Sequence, residues 1–535
     1  MISIDQEIAD TLAEYGAADA CAADLLCDRH PGDAIAFRIV EPDCRISELT
    51  YGQLSERSRR FATALARLGV RRGEAVGVLM SKSAELPVVL LAIWRLGAVH
   101  VPLFTAFAGS AVATRLGGAD AKFVVADADQ ADKLAASTGL SVVQVGGRSP
   151  ARTNWYAFED LLAAIAIGED DEPETVSVGA DGTLVLLYTS GTTGAPKGVP
   201  VPVRALASMQ RYLIDGLDVR ASDVYWNAAD PGWAYGLYLA VLAPLAMGRT
   251  SILLHAGFSA ELTWRVLDQL EVTNFAAAPT IYRAMRAEPS TPVRLRCASS
   301  AGEPLPATVV DWSRQALGVE VRDHYGQTEL SMVIANAWRA EIREPILAGS
   351  MGRALPGWSC AVLADDADVV APIGAIGRLA LDTTSPLMWF HGYKNAPDKT
   401  AERYSADGRW YFTGDTAKQD ESGRVFFSAR DDDVIIMAGY RIGPADVENA
   451  LVTHEAVTEA AVVAAPDELR GEVLEAYVVL RAGGHGSPEL VAELQQRVKQ
   501  QFAAHAYPRR IHFVDDLPKT PSGKLQRYKL RADRR

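Results

Sequence analysis

Two stretches of this chain alternate helical and strand patterns, and no other feature restricts its fold so much. Over residues 50–130, Thr50 and Gln53 form a capping-box signature before TYGQLSERSRRFATALARLG. Leu54, Phe61, Leu65 and Leu68 follow at helical spacing, and Gly69 supplies a stop. AVGVLM then reads as a buried strand, ELPVVLLAIWRLG as a helix and AVHVPL as a strand. A second series over 183–325 offers strands at TLVLLYTS, SILLHA, NFAAAP and LRCASSA. Such units predict largely parallel sheets with helices on both faces. Residues 352–430 change to short β segments rich in Gly and Pro, such as GAIGRLALDT and GRVFFSAR. Beyond 432 the pattern is α+β: DVENALVTH and PELVAELQQRVKQQF as helices, VTEAAVVAAP and LEAYVVLRAG as strands.

The 535 residues are enough for three or four compact units, which excludes a single small binding module. With 49% apolar and 22% charged residues, neither disorder nor a fibrous repeat is supported. A formal charge of −14 argues against an overall electrostatic grip on nucleic acid or anionic membrane. That charge is uneven, because the last 39 residues carry a net +8 and the rest −22. The acidic start, with Asp5, Glu7, Asp10 and Glu14 and no basic residue before Arg29, is the reverse of a secretory or mitochondrial leader and reads as an ordinary acidic helix. Five cysteines without a C-x-x-C pair suggest neither a disulfide framework nor a zinc site and fit a reducing cytoplasm. Residues 231–248 hold no charge and touch the length of a membrane span. Their Pro231, Pro244, Gly232, Gly236 and Gly248 favour a buried helix beside an apolar pocket instead.

The segment YTSGTTGAPKGV (188–199) directly follows a strand pattern. Its glycines let successive backbone N–H groups turn toward one anion, its hydroxyls add donors, and Lys197 adds a positive charge: a phosphate cradle. It is not a Walker loop, since Pro196 and Gly198 occupy positions that motif reserves for Gly and for Ser or Thr.

With AGEP (301–304), HYGQTE (324–329), YFTGD (411–415), ARDDDVIIMAGYRIGPADVE (429–448) and PKTPSGKLQR (518–527) following in order, the chain resembles the adenylate-forming superfamily of acyl-CoA synthetases, luciferases and peptide-synthetase adenylation domains, and is most similar to the medium-chain acyl-CoA synthetases. The resemblance implies an α/β fold: an N-terminal domain, residues 1–430, of two helix-covered sheet subdomains and a small β-rich subdomain, then a mobile α+β C-terminal domain, residues 431–535. It implies an acid:CoA ligase that uses ATP and Mg²⁺ to form an acyl-adenylate, then passes the acyl group to CoA with release of AMP and diphosphate. The acid, ATP and CoA are its partners.

The resemblance also assigns residues. Thr189, Ser190, Gly191, Thr192, Thr193 and Lys197 would hold phosphates; Gly302, Glu303, Pro304, Tyr325, Gly326 and Gln327 the nucleotide; Asp415 the ribose hydroxyls; Arg430 and Arg441 ribose or phosphate. Thr328 would bond the α-phosphate and Glu329 would ligate Mg²⁺. Lys524 would carry the first step by lowering the repulsion between the acid carboxylate and the ATP phosphates. Asp432 stands at the hinge on which the C-terminal domain turns, Gly439 and Tyr440 at the pantetheine tunnel, and Lys499 at the CoA nucleotide. Lys524 is also a candidate for reversible acetylation by an acetyltransferase and deacetylase, which would remove the charge the step needs.

For the acid, Trp233, Ala234, Tyr235, Ala301 and Gly326 are the expected pocket residues. Acetate-specific relatives carry tryptophan before QTE, so Gly326 suggests room for a short- to medium-chain, branched or aryl acid, whereas Tyr235 and Leu330 reduce it. Two other readings stay open, an adenylase that loads a separate carrier protein and a silent adenylate-binding protein. A homo-oligomer also stays open.

Overall fold

The computed structural model describes residues 2–135, 139–147, 152–165, 173–189, 196–288, 291–430, 433, 435–437, 440–467, 471–481, 483–502, 506–519 and 525–532. The capping box forms as read. Thr50 Oγ1 accepts from the Gln53 amide at 3.2 Å, and the Gln53 side chain accepts from the Thr50 amide at 3.0 Å. Helix Tyr51–Leu68 ends at Gly69, where φ is +107°, a conformation that glycine adopts without strain. Its buried face, with Leu54, Phe61 and Leu65, packs on helix Glu85–Arg95.

The first alternating series becomes a seven-stranded sheet in the order Trp155–Ala157, Ser141–Val145, Phe123–Asp127, Ala75–Leu79, Val99–Pro102, Thr183–Thr189, Lys197–Pro202. Its neighbours pair in parallel up to Thr183–Thr189. The last strand returns antiparallel to it, with Thr189 opposite Lys197. Lys197 therefore sits on a strand at one leg of a hairpin. Pro200 and Pro202 are tolerated there because this strand is an edge and need not supply a full row of donors.

In the second sheet Ile35–Val40, Ser251–Leu254, Tyr225–Asn227, Asn274–Ala277, Cys297–Ala301 and Arg322–Gln327 are parallel neighbours. The β-rich segment forms an antiparallel layer joined to this sheet edge to edge. Ser350–Ala354 is the joint: one side pairs with Ser331–Ala335 and the other with Val425–Arg430. Trp410–Gln419, Gly377–Asp382 and Cys360–Leu363 continue outward. Beyond Ile435 a separate sheet holds Tyr440–Ile442, Ile435–Met437, Gly471–Leu480, Val457–Asp467 and Arg510–Phe513, and its core includes Val462, Leu474 and Leu494.

The uncharged stretch is buried and broken into helix Ala234–Gly236, wider-turn segment Leu237–Leu242 and helix Ala243–Ala246. Among the described residues no helix is long and apolar enough to cross a membrane. The acidic first helix, Ile4–Tyr15, is docked rather than merely solvated. Its Glu7 meets Arg211 at 3.0 Å and Arg339 at 2.7 Å, and both arginines also bind the fully buried Asp215.

Candidate active site

Parallel strands deliver their carboxyl ends to one crevice, the usual ligand position in open α/β sheets. Thr183–Thr189, Cys297–Ala301 and Arg322–Gln327 all end there, so Thr189, Gly302 and Thr328 are the first residues beyond or at three strand ends. A cavity of about 1940 Å³ opens over these ends and reaches into the C-terminal domain. Thr189, Lys197, Gly302, Glu303, Pro304, Tyr325, Gly326, Gln327, Thr328, Glu329, Asp415 and Arg430 all line it. So do Glu459, Lys519 and Arg527 of the C-terminal domain. Gly302 has φ +99°, which accounts for glycine at this turn.

Asp415 anchors one wall. The Tyr325 hydroxyl donates to it, Gln327 Nε2 donates at 3.0 Å, and Arg430 Nε lies 3.4 Å from its other oxygen. Gln327 in turn accepts from the Tyr411 hydroxyl at 3.2 Å and donates to the Thr413 carbonyl at 2.8 Å, so its orientation is determined. Burial pushes the Asp415 carboxyl above its ordinary value, with Arg430 opposing. Asp323, also in the cavity lining, is raised by burial to about 8 and accepts backbone bonds from Leu305 and His324.

Glu329 anchors the other wall and is 6% exposed. The Tyr393 hydroxyl donates to its Oε1 at 2.7 Å, and Arg403 Nε donates to that hydroxyl at 3.2 Å. The Lys197 amine sits 4.5 Å from the centroid of the Tyr393 ring. Burial, and then the charge of Arg403, hold the Lys197 amine below its ordinary value. Tyr393 and Arg403 were not singled out in the sequence. They lie in GYKNAPDKTAERY, which carries no local chemical signature, and Tyr393 is 64 positions from its partner.

The expected acyl pocket is only partly assembled. Trp233 and Gly326 line the cavity, whereas Ala234, Tyr235 and Ala301 do not. Ala301 is 2% exposed within the core. The Tyr235 hydroxyl turns toward that of Tyr212, which meets His324 Nδ1 at 2.7 Å, while His324 Nε2 faces the Asn336 carbonyl at 3.2 Å. Burial lowers the His324 imidazole to about 3, so the ring is neutral, accepting from Tyr212 and donating to Asn336. Trp233 packs against Phe104 and Phe107 at centroid distances of 5.4 and 5.3 Å. A Cβ at Gly326 would lie 2.2 Å from the Ser331 carbonyl oxygen, so this hairpin must shift to admit any side chain there.

Ser190, Gly191, Thr192, Thr193, Asp432, Gly439 and Lys524 lie outside the described residues. Leu525, Gln526 and Arg527, which follow Lys524, line the cavity. Arg527 is clamped by Glu448 at 2.8 Å and by Asp433 at 3.2 Å. Tyr440 and Arg441 belong to strand Tyr440–Ile442, paired with Ile435–Met437. Lys499 is not brought into the cavity; it rides on helix Pro488–Gln501, its amine 4.0 Å from the Tyr507 ring centroid.

Two sheets with a shared crevice, and a cavity there lined also by residues of a second, smaller domain, define an adenylate-forming enzyme. The chain belongs to the AMP-binding enzyme family: the family model matches residues 25–393, and the model of its C-terminal domain matches 446–524. It is 35% identical over 499 residues to acetyl-coenzyme A synthetase of Bacillus subtilis, covering 91% of this chain and 85% of that one. It is 34% identical over 505 residues to the mitochondrial acyl-coenzyme A synthetase ACSM4 of Rattus norvegicus, covering 90% and 83%. A crystal structure of Brucella canis acyl-CoA synthetase superimposes with a TM-score of 0.77 at 42% identity, covering 100% of this chain and 97% of that one. The protein is an AMP-forming acid–thiol ligase, and a carboxylic acid, ATP and CoA are the substrates that fit its family.

Proposed function

We propose that the chain activates a short- to medium-chain, branched or aryl acid in two half-reactions that use this one cavity in turn. The observation that carries the reading is the convergence on that cavity of Asp415, Glu329 and Lys197 with the residues that follow Lys524. In the first half-reaction a carboxylate oxygen of the acid attacks the α-phosphorus of ATP, and the bond to the departing diphosphate breaks. The acid is already ionised near neutral pH, so no general base is required. Lys197 and Lys524 offset the negative charge, Thr328 bonds the α-phosphate, and Asp415 accepts the ribose hydroxyls next to Tyr325. In the second, the C-terminal domain, residues 431–535, turns about Asp432, the CoA sulfur bonds to the acyl carbon as the acyl–oxygen bond to AMP breaks, AMP leaves and the thiol proton passes to solvent. Gly439, Tyr440, Arg441 and Lys499 serve that orientation.

Mg²⁺ fits Glu329. Tyr393 occupies Oε1, leaving the second hard oxygen of a carboxylate that lines the cavity, and Mg²⁺ is commonly held by one carboxylate together with substrate phosphates. When bound, the ion neutralises the departing diphosphate. Trp233 forms the aromatic wall of the acid site, and Tyr235 closes the space behind it. The protein works in the cytoplasm, and acetylation of Lys524 would silence the first half-reaction.

The test is a panel of C2 to C10, branched and aryl acids with ATP, Mg²⁺ and CoA, scored by catalytic efficiency. Absence of acid-dependent diphosphate release across the panel would refute the reading. Acyl-AMP that turns over with a carrier protein but not with CoA would replace it.

A further inference from the structure

Where the C-terminal domain meets the N-terminal one, each side contributes a pair of cations to the cavity lining. Arg283 and Arg286, on helix Pro279–Ala287, line the cavity opposite Arg481 and Lys519 of the other domain. Burial and the nearby charge of Arg481 hold the Arg286 guanidinium below its ordinary value, as two cations pressed together should. Glu459, on strand Val457–Asp467, is placed between them. Its Oε2 takes the Lys519 amine at 2.6 Å, and its Oε1 lies 3.9 Å from Arg283 Nε, within ion-pair range but beyond a hydrogen bond. Arg283 is fixed from behind, with Nη2 at 3.0 Å from Glu303 and 2.8 Å from the Thr280 hydroxyl. Lys519 pairs with Leu525 in an antiparallel bridge, and the Gln526 amide donates to the Pro518 carbonyl at 2.8 Å. The chain therefore leaves for Lys524 and returns at one point, directly beside the Lys519–Glu459 pair.

We propose that Glu459 is a positioning residue: as the central anion of a Glu303–Arg283–Glu459–Lys519 relay, it holds the C-terminal domain in the orientation that serves adenylation. The relay runs from the wall expected to hold adenine to the base of the segment that carries Lys524, and in this it rests on the functional reading above. Its Coulombic sense is simple. With Glu459 charged, one carboxylate is shared by cations of both domains; without it, Arg283 keeps only Glu303 and Lys519 only Asp516, at 3.6 Å, each on its own side, and no anion spans the gap. Release of this contact then accompanies the turn to the thioester-forming orientation, where the CoA phosphates supply anions of their own.

The experiment measures two rates separately in the full-length enzyme: acid-dependent diphosphate release, and CoA thioester formation from supplied acyl-AMP. Glu459→Gln is expected to lower the first about tenfold, as couplings of this size do, and to leave the second within about twofold. Raised salt is expected to slow the first rate in the wild type more than the second. The exchange variant Glu459→Lys with Lys519→Glu restores the pair inside the domain but presents a cation to Arg283, so it is expected to stay impaired. Recovery in the exchange variant would show that the pair merely stabilises the C-terminal domain, and equal loss of both rates in Glu459→Gln would show a general defect; either overturns the proposal. Lys524→Ala, run alongside, separates the two readings. Loss of diphosphate release in that variant, with none in Glu459→Gln, overturns the relay and leaves the lysine's role standing. The reverse pattern overturns the lysine's role and leaves the relay.

Discussion

The Tyr393 hydroxyl donates to Glu329 Oε1 at 2.7 Å while the Lys197 amine rests 4.5 Å from the centroid of the same ring. One side chain thus orients a carboxylate through its hydroxyl and supports a cation on its ring. The hydroxyl has one proton, which Glu329 takes, and its oxygen accepts from Arg403.

Tyr393→Phe should therefore keep Lys197 in place and release Glu329. Hydrogen bonds to charged groups contribute about 1.5–3 kcal/mol, so the Mg²⁺ concentration needed for half-maximal diphosphate release should rise roughly tenfold or more. A Mg²⁺ titration at saturating ATP checks this. An unchanged midpoint would mean that Glu329 is held by other contacts.

Asp415 titrates above an ordinary aspartate because burial outweighs the help of Arg430, Tyr325 and Gln327. AMP affinity should fall with decreasing pH through that raised value, at a pH where exposed carboxylates are still ionised. A carboxyl whose pKa is raised in the folded state binds its proton more tightly there. Its protonation therefore favours the folded chain, and the loss of affinity should precede unfolding. Calorimetric AMP titrations across pH should show the slope in the wild type and a weak, flat response in Asp415→Asn.

Glu7 behaves in the opposite way. Its hydrogen bond from Arg339, and then that from Arg211, hold its carboxyl near 2 instead of 4.5. This stabilisation, up to about 3 kcal/mol, is complete above pH 4.5 and disappears as pH falls toward 2. Glu7→Gln should melt below the wild type at pH 7, and the gap between the two melting curves should close in acid. A gap independent of pH would assign the effect to packing of helix Ile4–Tyr15.

Gly326→Ala should destabilise the protein by about 1–3 kcal/mol, because the new Cβ lies 2.2 Å from the Ser331 carbonyl oxygen and 2.7 Å from Met332 Cα. Thermal unfolding measures this. Chain-length preference should be unaffected in whatever folded fraction remains, since the Cβ points into the hairpin. A changed preference at full stability would restore the acid-site account of this glycine.

Local chemistry made much of this legible. The Thr50–Gln53 box, the Gly69 stop and the strand runs at 75–79, 183–189 and 297–301 depend on neighbours within a few positions, so periodicity and caps identified them. The ordered motifs pointed in the same way to one wall of the cavity, because Tyr325, Gln327, Asp415 and Arg430 sit inside strings that resemble a known family. Tyr235 and Ala301 stand behind the cavity lining rather than in it, because the direction a side chain takes at a strand or helix end depends on what packs behind it. Here that is Tyr212 and His324 for Tyr235 and the core for Ala301.

Short-range patterning thus decided which segments are helices and strands, and which strings of residues resemble the family. Partnership across distance belonged to the tertiary structure alone. Ile35–Val40 pairs with Ser251–Leu254, Tyr393 reaches Glu329, and Glu459 stands between Arg283 and Lys519. None of these pairs has a spacing that a chain must keep. Each exists because parallel sheets and a second domain bring distant strand ends to one crevice, where buried polar groups must find partners or lose the solvation they had in water.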